Sequence, residues 1–371
     1  LKAARFPFLG PLDLADIARG RATDPVVRAV SLSHVLLETT DLDRAERFYR
    51  DFGLVPSASA GGTILFRAAG PAHRVLVVRE SERSRFSGVA LEVAGELDLR
   101  RLASLPGASG VEPIDEPGGG LRVRLSTPSG IEVHAVSGMA PLAPLAMREP
   151  IVHNHALVKA RIGSSQRPPA GPAEVSKIGH VALESDRFFR DLLFWMRTFG
   201  LIVSDYQELE DEPSLGPVMA FLRCDRGAEP ADHHTVALAA GIRAGLAHAA
   251  FEVQDLDAVA MGGEHLGRHG WRRAWGVGRH ILGSQIFDYW RDPDGVMVEH
   301  YADGDVFDSE APTGRLAFRG SHLAQWGPPL PSDFAGARPG PSLAIEVLRG
   351  LVGNDEASLR KLLATARALG R

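Results

Sequence analysis

The sequence predicts an α+β protein of two similar domains, each assembled from two strand-helix-strand-strand units. Three observations carry this. First, His34-Val35-Leu36-Leu37-Glu38, followed by a helical stretch ending Phe52-Gly53-Leu54, recurs as His180-Val181-Ala182-Leu183-Glu184, ending Phe199-Gly200-Leu201. The offset is 146 in the strand and 147 after the helix, so one residue is gained between them. Second, Pro128-Ser129-Gly130-Ile131-Glu132-Val133-His134 closes the first copy, and Pro293-Asp294-Gly295-Val296-Met297-Val298-Glu299 closes the second. Third, the hydrophobic period alternates between two residues and helical spacing inside each copy.

Element by element, SHVLLET alternates as a strand, DLDRAERFYRDF has helical spacing, and TILFRA and HRVLVV read as further strands. The order then restarts with GVALEV as a strand, GELDLRRLASL as a helix, and LRVRLST and GIEVHAV as strands. The second copy runs IGHVALE, RFFRDLLFWMRTF, VMAFLRC and HTVALAA, then AHAAFEV, LDAVAMGGEHLGRHG, QIFDYWRD and VMVEHYA. Between the copies, Gly163 to Val175 is rich in Pro and Gly and reads as a linker or exposed loop. The division expected is an N-terminal extension over 1–30, a first domain over 31–140, a linker over 141–175, a second domain over 176–305 and a C-terminal extension over 306–371. In the last of these, 326–341 is rich in Pro and Gly, and 342–370 has helical spacing suited to covering a sheet edge or an oligomer contact.

Composition narrows the function classes. With 371 residues, 44% hydrophobic and 23% charged, the chain is an ordinary globular protein long enough for two or three domains. Apolar runs such as Val236 to Ile242 are far shorter than the ~20 residues of a membrane span. A net charge of -5 gives no general pull toward nucleic acid or an anionic membrane. One cysteine, Cys224, excludes an intrachain disulfide and a cysteine zinc cluster, which fits a reducing cytoplasm. The opening residues lack a basic segment followed by an apolar run, so no signal peptide is expected.

Chemistry gathers in the second copy. His180 begins the first strand, His248 shares a strand face with Ala250 and Glu252, and Glu299 lies in the last strand. Two histidines and one carboxylate on three strands form the ligand set that holds a divalent metal on one face and leaves the opposite positions open. The spacings of 68 and 51 residues make no local motif, and a histidine at a strand start is more often structural; the repeat is what raises the metal reading.

With these residues in place, the chain from about Ser33 to Asp305 resembles a two-domain (type I) extradiol ring-cleavage dioxygenase of the vicinal oxygen chelate (glyoxalase/bleomycin resistance/dioxygenase) superfamily. The resemblance implies four βαβββ modules paired into two domains, each a curled, incomplete barrel-like sheet. It implies Fe(II), with Mn(II) as the other ion this ligand set accepts, held by His180, His248 and Glu299. The same places in the first copy are His34, Gly88 and His134; glycine cannot ligate, so that domain is expected to be metal-free and structural.

Three further residues follow from the resemblance. Asp232-His233-His234-Thr235-Val236-Ala237-Leu238 is similar to the family's His-x-apolar-Ala-apolar strand, which puts His234 at the acid-base position; a count of 15 residues back from His248 selects His233 instead, and the strand motif is preferred. His280, Tyr289 and Glu299 reproduce the family's spacing, so His280 and Tyr289 are expected to bind the substrate and take part in catalysis. The bland alternative leaves His233 and His234 in solvent and Tyr289 as a barrel residue with a polar handle. The implied reaction inserts both atoms of O2 into a catechol-type diol and cleaves beside one hydroxyl. Ile281 to Gln285 lacks the Asn and Asp that follow this His in biphenyl-diol enzymes, which counts against a biphenyl diol without naming a replacement; a substituted monocyclic catechol or trihydroxybenzene is the expectation. A homo-oligomer is expected. The competing readings are a glyoxalase-type metal-dependent isomerase or lyase, and a metal-free small-molecule binding protein of the bleomycin-resistance type.

Overall fold

Each of the four helices inside the repeat units is followed by a strand that the polarity pattern does not show. The computed structural model describes residues 14–334 and 359–368. After a short helix α1 (Leu14–Arg19), the first half runs β1 (Ala29–Thr39), α2 (Leu42–Phe52), β2 (Val55–Ala60), β3 (Thr63–Arg67), β4 (Leu76–Glu80), β5 (Arg85–Val93), α3 (Glu96–Ala103), β6 (Glu112–Pro113), β7 (Leu121–Ser126) and β8 (Glu132–Ser137). The second half runs β9 (Val175–Ser185), α4 (Phe188–Phe199), β10 (Ile202–Glu208), β11 (Pro217–Arg223), β12 (Ala231–Asp232), β13 (Val236–Ala240), β14 (Gly245–Val253), α5 (Leu256–Arg268), β15 (Arg272–Arg279), β16 (Ile286–Arg291) and β17 (Met297–Ala302). The strand-helix-strand-strand reading is therefore corrected to βαβββ by β2, β6, β10 and β15. Three of these are sheet edges, where polar residues, glycine or proline are tolerated because one side of the backbone has no partner: β2 reads VPSASA and β15 RRAWGVGR.

The two sheets follow one plan. Sheet order is β2-β3-β4-β1-β5-β8-β7-β6 in the first half. It is β15-β16-β17-β14-β9-β13-β11-β10 in the second, with β19 (Gly314–Ala317) added beyond β10. In each, the two modules meet at an antiparallel pair, β1 with β5 and β9 with β14, and a parallel strand flanks each member. The repeated Phe-Gly-Leu landmark has a physical cause: Gly53 (φ 106) and Gly200 (φ 65) end α2 and α4 in left-handed backbone, the conformation that closes a helix most cheaply with glycine.

The expected domain limits shift slightly at strands: β1 starts at Ala29 and β9 takes in Val175. The halves share one apolar core, with Phe48, Phe52, Phe194, Trp195 and Phe251 all fully buried in it. Polar contacts join them as well. Tyr49 Oη donates to Asp292 Oδ2 at 2.9 Å, His300 Nε2 to the Phe52 carbonyl at 2.7 Å, and the Ser129 amide to Asp191 at 2.9 Å. Asp51 accepts from His265 at 3.2 Å and from Trp271 Nε1 at 2.8 Å.

Beyond Asp303 the chain adds β19 to the second sheet against β10, and β18 (Val306–Phe307) forms a separate two-stranded sheet with β12. Of the helical spacing over 342–370, Leu359–Ala368 forms α6, whose Ala364 packs with Leu209, Val218 and Phe318; residues 342–358 lie outside the described residues. No helix among the described residues is long and apolar enough to cross a membrane.

Candidate active site

Neighbouring strands bring side chains from distant sequence positions onto one rung of the second sheet. Reading across, Trp275 of β15 pairs with Tyr289 of β16, Tyr289 with Glu299 of β17, Glu299 with Ala250 of β14, and Ala250 with His180 of β9. Paired residues share a face, so Tyr289, Glu299 and His180 look the same way. His248 is two residues from Ala250 on that face. Ala250 puts only a methyl group between Glu299 and His180, and Gly179 beside His180 leaves the room that the Tyr301 ring fills.

The expected ligand set converges. His180 Nε2 and His248 Nε2 are 3.4 Å apart, and each is 3.3 Å from Glu299 Oε2. Metal-ligand bonds near 2.1 Å at about right angles put neighbouring donors about 3 Å apart, so the spacing fits one ion. Glu299 is fully buried, and neither carboxylate oxygen has a hydrogen bond of acceptable geometry. A buried carboxylate in that condition needs a countercharge. Burial alone would raise its pKa, yet His180, His248 and His280 hold it well below the usual carboxylate range. Burial lowers His180 against the pull of Glu299, keeping it in the neutral form that binds a metal. The residues therefore fit a divalent cation.

The other expected residues surround this point. The His234 ring lies 4.0 Å from that of His180, and burial, then the neighbouring His180 and His233, lower its pKa well below the ordinary value. Tyr289 Oη lies 2.8 Å from His280 Nε2, while His280 Nδ1 lies 2.6 Å from the Leu323 carbonyl. A carbonyl only accepts, so neutral His280 carries its proton on Nδ1 and accepts the Tyr289 hydroxyl proton at Nε2. Burial, then Glu299, push the Tyr289 pKa well above 10, which keeps it a hydrogen-bond donor.

All six residues named from sequence thus come together. The solvent reading of the histidine pair is corrected: His233 and His234 are both buried in the link between β12 and β13, where β18 pairs with β12 and the His233 amide meets the Asp305 carbonyl. Sequence reading missed Asp205, which meets His233 Nε2 at 2.7 Å, and Trp275, which stacks 5.7 Å from Tyr289. Asp205 sits on β10, the strand whose polarity hid it, and no local motif ties it to His233. A cavity under the C-terminal segment is lined by Leu209, Trp275, Phe318 and Trp326 and touches none of the six residues.

Comparison with known proteins agrees with this geometry. Residues 177–300 match the family model of the Glyoxalase/Bleomycin resistance protein/Dioxygenase superfamily. The chain is 29% identical over 330 residues to Metapyrocatechase 2 of Cupriavidus necator, covering 87% of this chain and 96% of that protein. In fold it is similar to an extradiol ring-cleaving dioxygenase from B. fuscum (TM-score 0.69, 19% identity, 85% of this chain and 83% of that one). It is also similar to homoprotocatechuate 2,3-dioxygenase from Arthrobacter globiformis (TM-score 0.68, 20% identity, 85% and 93%). The Mn(II)-bound glyoxalase from Novosphingobium aromaticivorans shares the fold to the same degree (TM-score 0.69, 23% identity, 85% and 96%). The stretch matched by that family model contains His180, His248, His234, His280, Tyr289 and Glu299.

Proposed function

We propose that the protein is an extradiol dioxygenase that opens a catechol-type ring beside one of its hydroxyls, using O2 and one divalent ion held by His180, His248 and Glu299. The observation that carries the reading is the acid-base set beside the metal-ligand set: His234, Tyr289 and His280 face the same point as the three ligands, which a plain metal-binding isomerase does not need. The bound ion, iron(II) or manganese(II), supplies Lewis acidity toward the diol and an electron path between ring and O2.

The chain's own residues do the rest. His234 Nε2 has no hydrogen-bond partner among the described residues and takes up a phenolic proton, then returns it as the O–O bond breaks. A histidine whose burial favours the neutral form suits the first of these steps. Tyr289 Oη, fixed by His280, orients a substrate oxygen; His280 is fixed in turn by the Leu323 carbonyl. Phe287, Trp275 and Tyr289 wall this side with aromatic surface suited to a flat ring. The monocyclic diol expected from the sequence, catechol or trihydroxybenzene, is the proposed substrate class, with cytoplasmic location and homo-oligomeric assembly as the accompanying expectations.

The test is oxygen uptake by anaerobically prepared, Fe(II)- or Mn(II)-loaded protein with a panel of diols. One O2 consumed per diol, with a yellow ring-opened product, is expected. A cis,cis-muconate product would exclude cleavage outside the diol. Absence of uptake together with turnover of a hemithioacetal would establish the isomerase instead.

A further inference from the structure

We propose that Asp205 and His233 are positioning residues that hold His234 in a single tautomer, with its proton on Nδ1 and a bare Nε2 available to the diol. The proposal rests on the ring-cleavage reading and adds to it a chain of two residues outside the metal and substrate contacts.

Proton bookkeeping carries the inference. Asp205 Oδ2 lies 2.7 Å from His233 Nε2, and a carboxylate only accepts, so the proton of neutral His233 is on Nε2. Its Nδ1 is then a lone pair. That Nδ1 lies 2.9 Å from His234 Nδ1, and two nitrogens this close need one proton between them. His234 alone can supply it. A neutral imidazole has one N–H, so His234 Nε2 is left as the basic nitrogen. When Nε2 takes the phenolic proton, the new positive charge is linked through His233 to the Asp205 carboxylate, the logic by which a third residue orients and supports a general base.

The surroundings hold this chain in place. The His233 amide donates to the Asp305 carbonyl at 2.8 Å, and its own carbonyl accepts from Ser204 Oγ at 2.6 Å. Ser204 Oγ is held in turn by Arg223 Nη1 at 2.9 Å. Phe221 and Phe307 flank the His233 ring at 5.7 Å and 5.4 Å. Asp205 pairs with Gly314 of β19, and a Cβ at Gly314 would collide with the carboxylate. A segment beyond the repeat therefore shapes the relay.

The first half supplies an internal control. By strand register, Val236 corresponds to Leu76, so His234 corresponds to Arg74 and His233 to His73. Asp205, two strands further out, corresponds to Ala58. The relay is thus present only in the half that has the His, His, Glu set.

The decisive measurement is nitrogen NMR of the full chain labelled with 15N-histidine and loaded with diamagnetic Zn(II), which reads each tautomer without turnover. His234 is expected as the Nδ1–H form, and in His233→Phe it should redistribute toward Nε2–H. In steady-state assays with Fe(II) and a diol, His233→Phe should lose about 10²-fold in kcat while KM changes less than about threefold. His233→Asn places an acceptor oxygen where Nδ1 lay and should recover about tenfold of that loss. If His233→Phe does not fold, Asp205→Asn at a partly exposed strand position replaces it, with a mixed His234 tautomer and about tenfold lower kcat expected. An Nε2–H tautomer of His234 in the unsubstituted chain would overturn the proposal, as would a kcat within about twofold for His233→Phe or no recovery in His233→Asn. Failure of the unsubstituted chain to cleave any diol defeats the ring-cleavage reading instead, and the NMR spectrum still judges the relay.

Discussion

In the first half, His34 pairs with Ala90 and Ala90 with His134; in the second, His180 pairs with Ala250 and Ala250 with Glu299. The backbone rung is the same and the side chains are not. Where the second half has His248, the first has Gly88, each opposite the second residue after its strand histidine. Arg74 stands in the place of His234, and Arg124, paired with His134, stands in the place of Tyr289. The first-half face has no carboxylate between its histidines. His134 turns to Glu132 at 2.6 Å, and burial, then Arg74, lower the pKa of His34 well below the usual value. A duplicated sheet thus offers the same positions twice, and the charge placed at each rung decides what a position can hold. Guanidinium groups repel a divalent ion, while a buried carboxylate beside two imidazoles attracts one.

The largest expected difference comes from the matched pair Glu299→Ala and His134→Ala. Loss of a direct ligand should weaken metal binding more than the roughly 10- to 100-fold seen for residues that merely support ligands, and should abolish ring cleavage. His134→Ala should leave the metal content at one equivalent, because Gly88 offers no donor and Arg74 and Arg124 stand on the first-half face. Elemental analysis of both variants decides this, and retention of metal in Glu299→Ala would erase the distinction between the halves.

Next is His234→Phe, expected to keep the metal and lose roughly 10²- to 10⁴-fold in kcat. Arg74→Met at the corresponding place should leave kcat within about threefold, since no proton transfer depends on it. Steady-state kinetics together with metal content checks both.

Smaller in effect is an attempt to convert the first half. A Cβ at Gly88 would lie 2.8 Å from the Glu132 carbonyl, so Gly88→His should destabilise the fold by about 1–3 kcal/mol through overpacking, without adding a second metal equivalent. Denaturant unfolding and metal titration read the two outcomes.

The smallest effect concerns helix starts. Asp255 caps α5 with its side chain, whereas Gly95 at the start of α3 has no side chain to offer. Burial would raise the Asp255 pKa, but Arg148 and the Ala258 and Ile151 amides bring it down to about 2. A carboxyl depressed in the folded state stabilises above its unfolded value and loses that contribution as pH falls through the folded one. The contribution is therefore complete above about pH 4 and disappears toward pH 2. Asp255→Ala should cost about 1 kcal/mol at neutral pH and show a shallower acid limb in thermal unfolding, while Gly95→Ala should not alter that limb.

What was legible in the sequence was whatever repeats or alternates. Duplicated landmarks, the strands of the sheet centre and the amphipathic helices all reveal themselves, because central strands and core-facing helices must bury apolar side chains at fixed periods. The proposed ligands His180, His248 and Glu299 make no local motif; the repeat and the family resemblance it supports singled them out. The edge strands β2 and β15 were not, because unpaired edges carry proline, glycine and charge.

Residue order alone determined that the chain has two related halves, and that His34, Gly88 and His134 stand in the first where His180, His248 and Glu299 stand in the second. Tertiary structure decided the rest. It set His234 rather than His233 against His180, put Trp275 on the rung beside Tyr289, and used Asp305 at the end of the repeat and Gly314 and Leu323 beyond it to shape the site. It also joined Asp205 to His233 across 28 residues. The physical reason is that hydrogen bonds and electrostatics depend on distance in space, and strand pairing between residues tens of positions apart creates distances that no local spacing encodes.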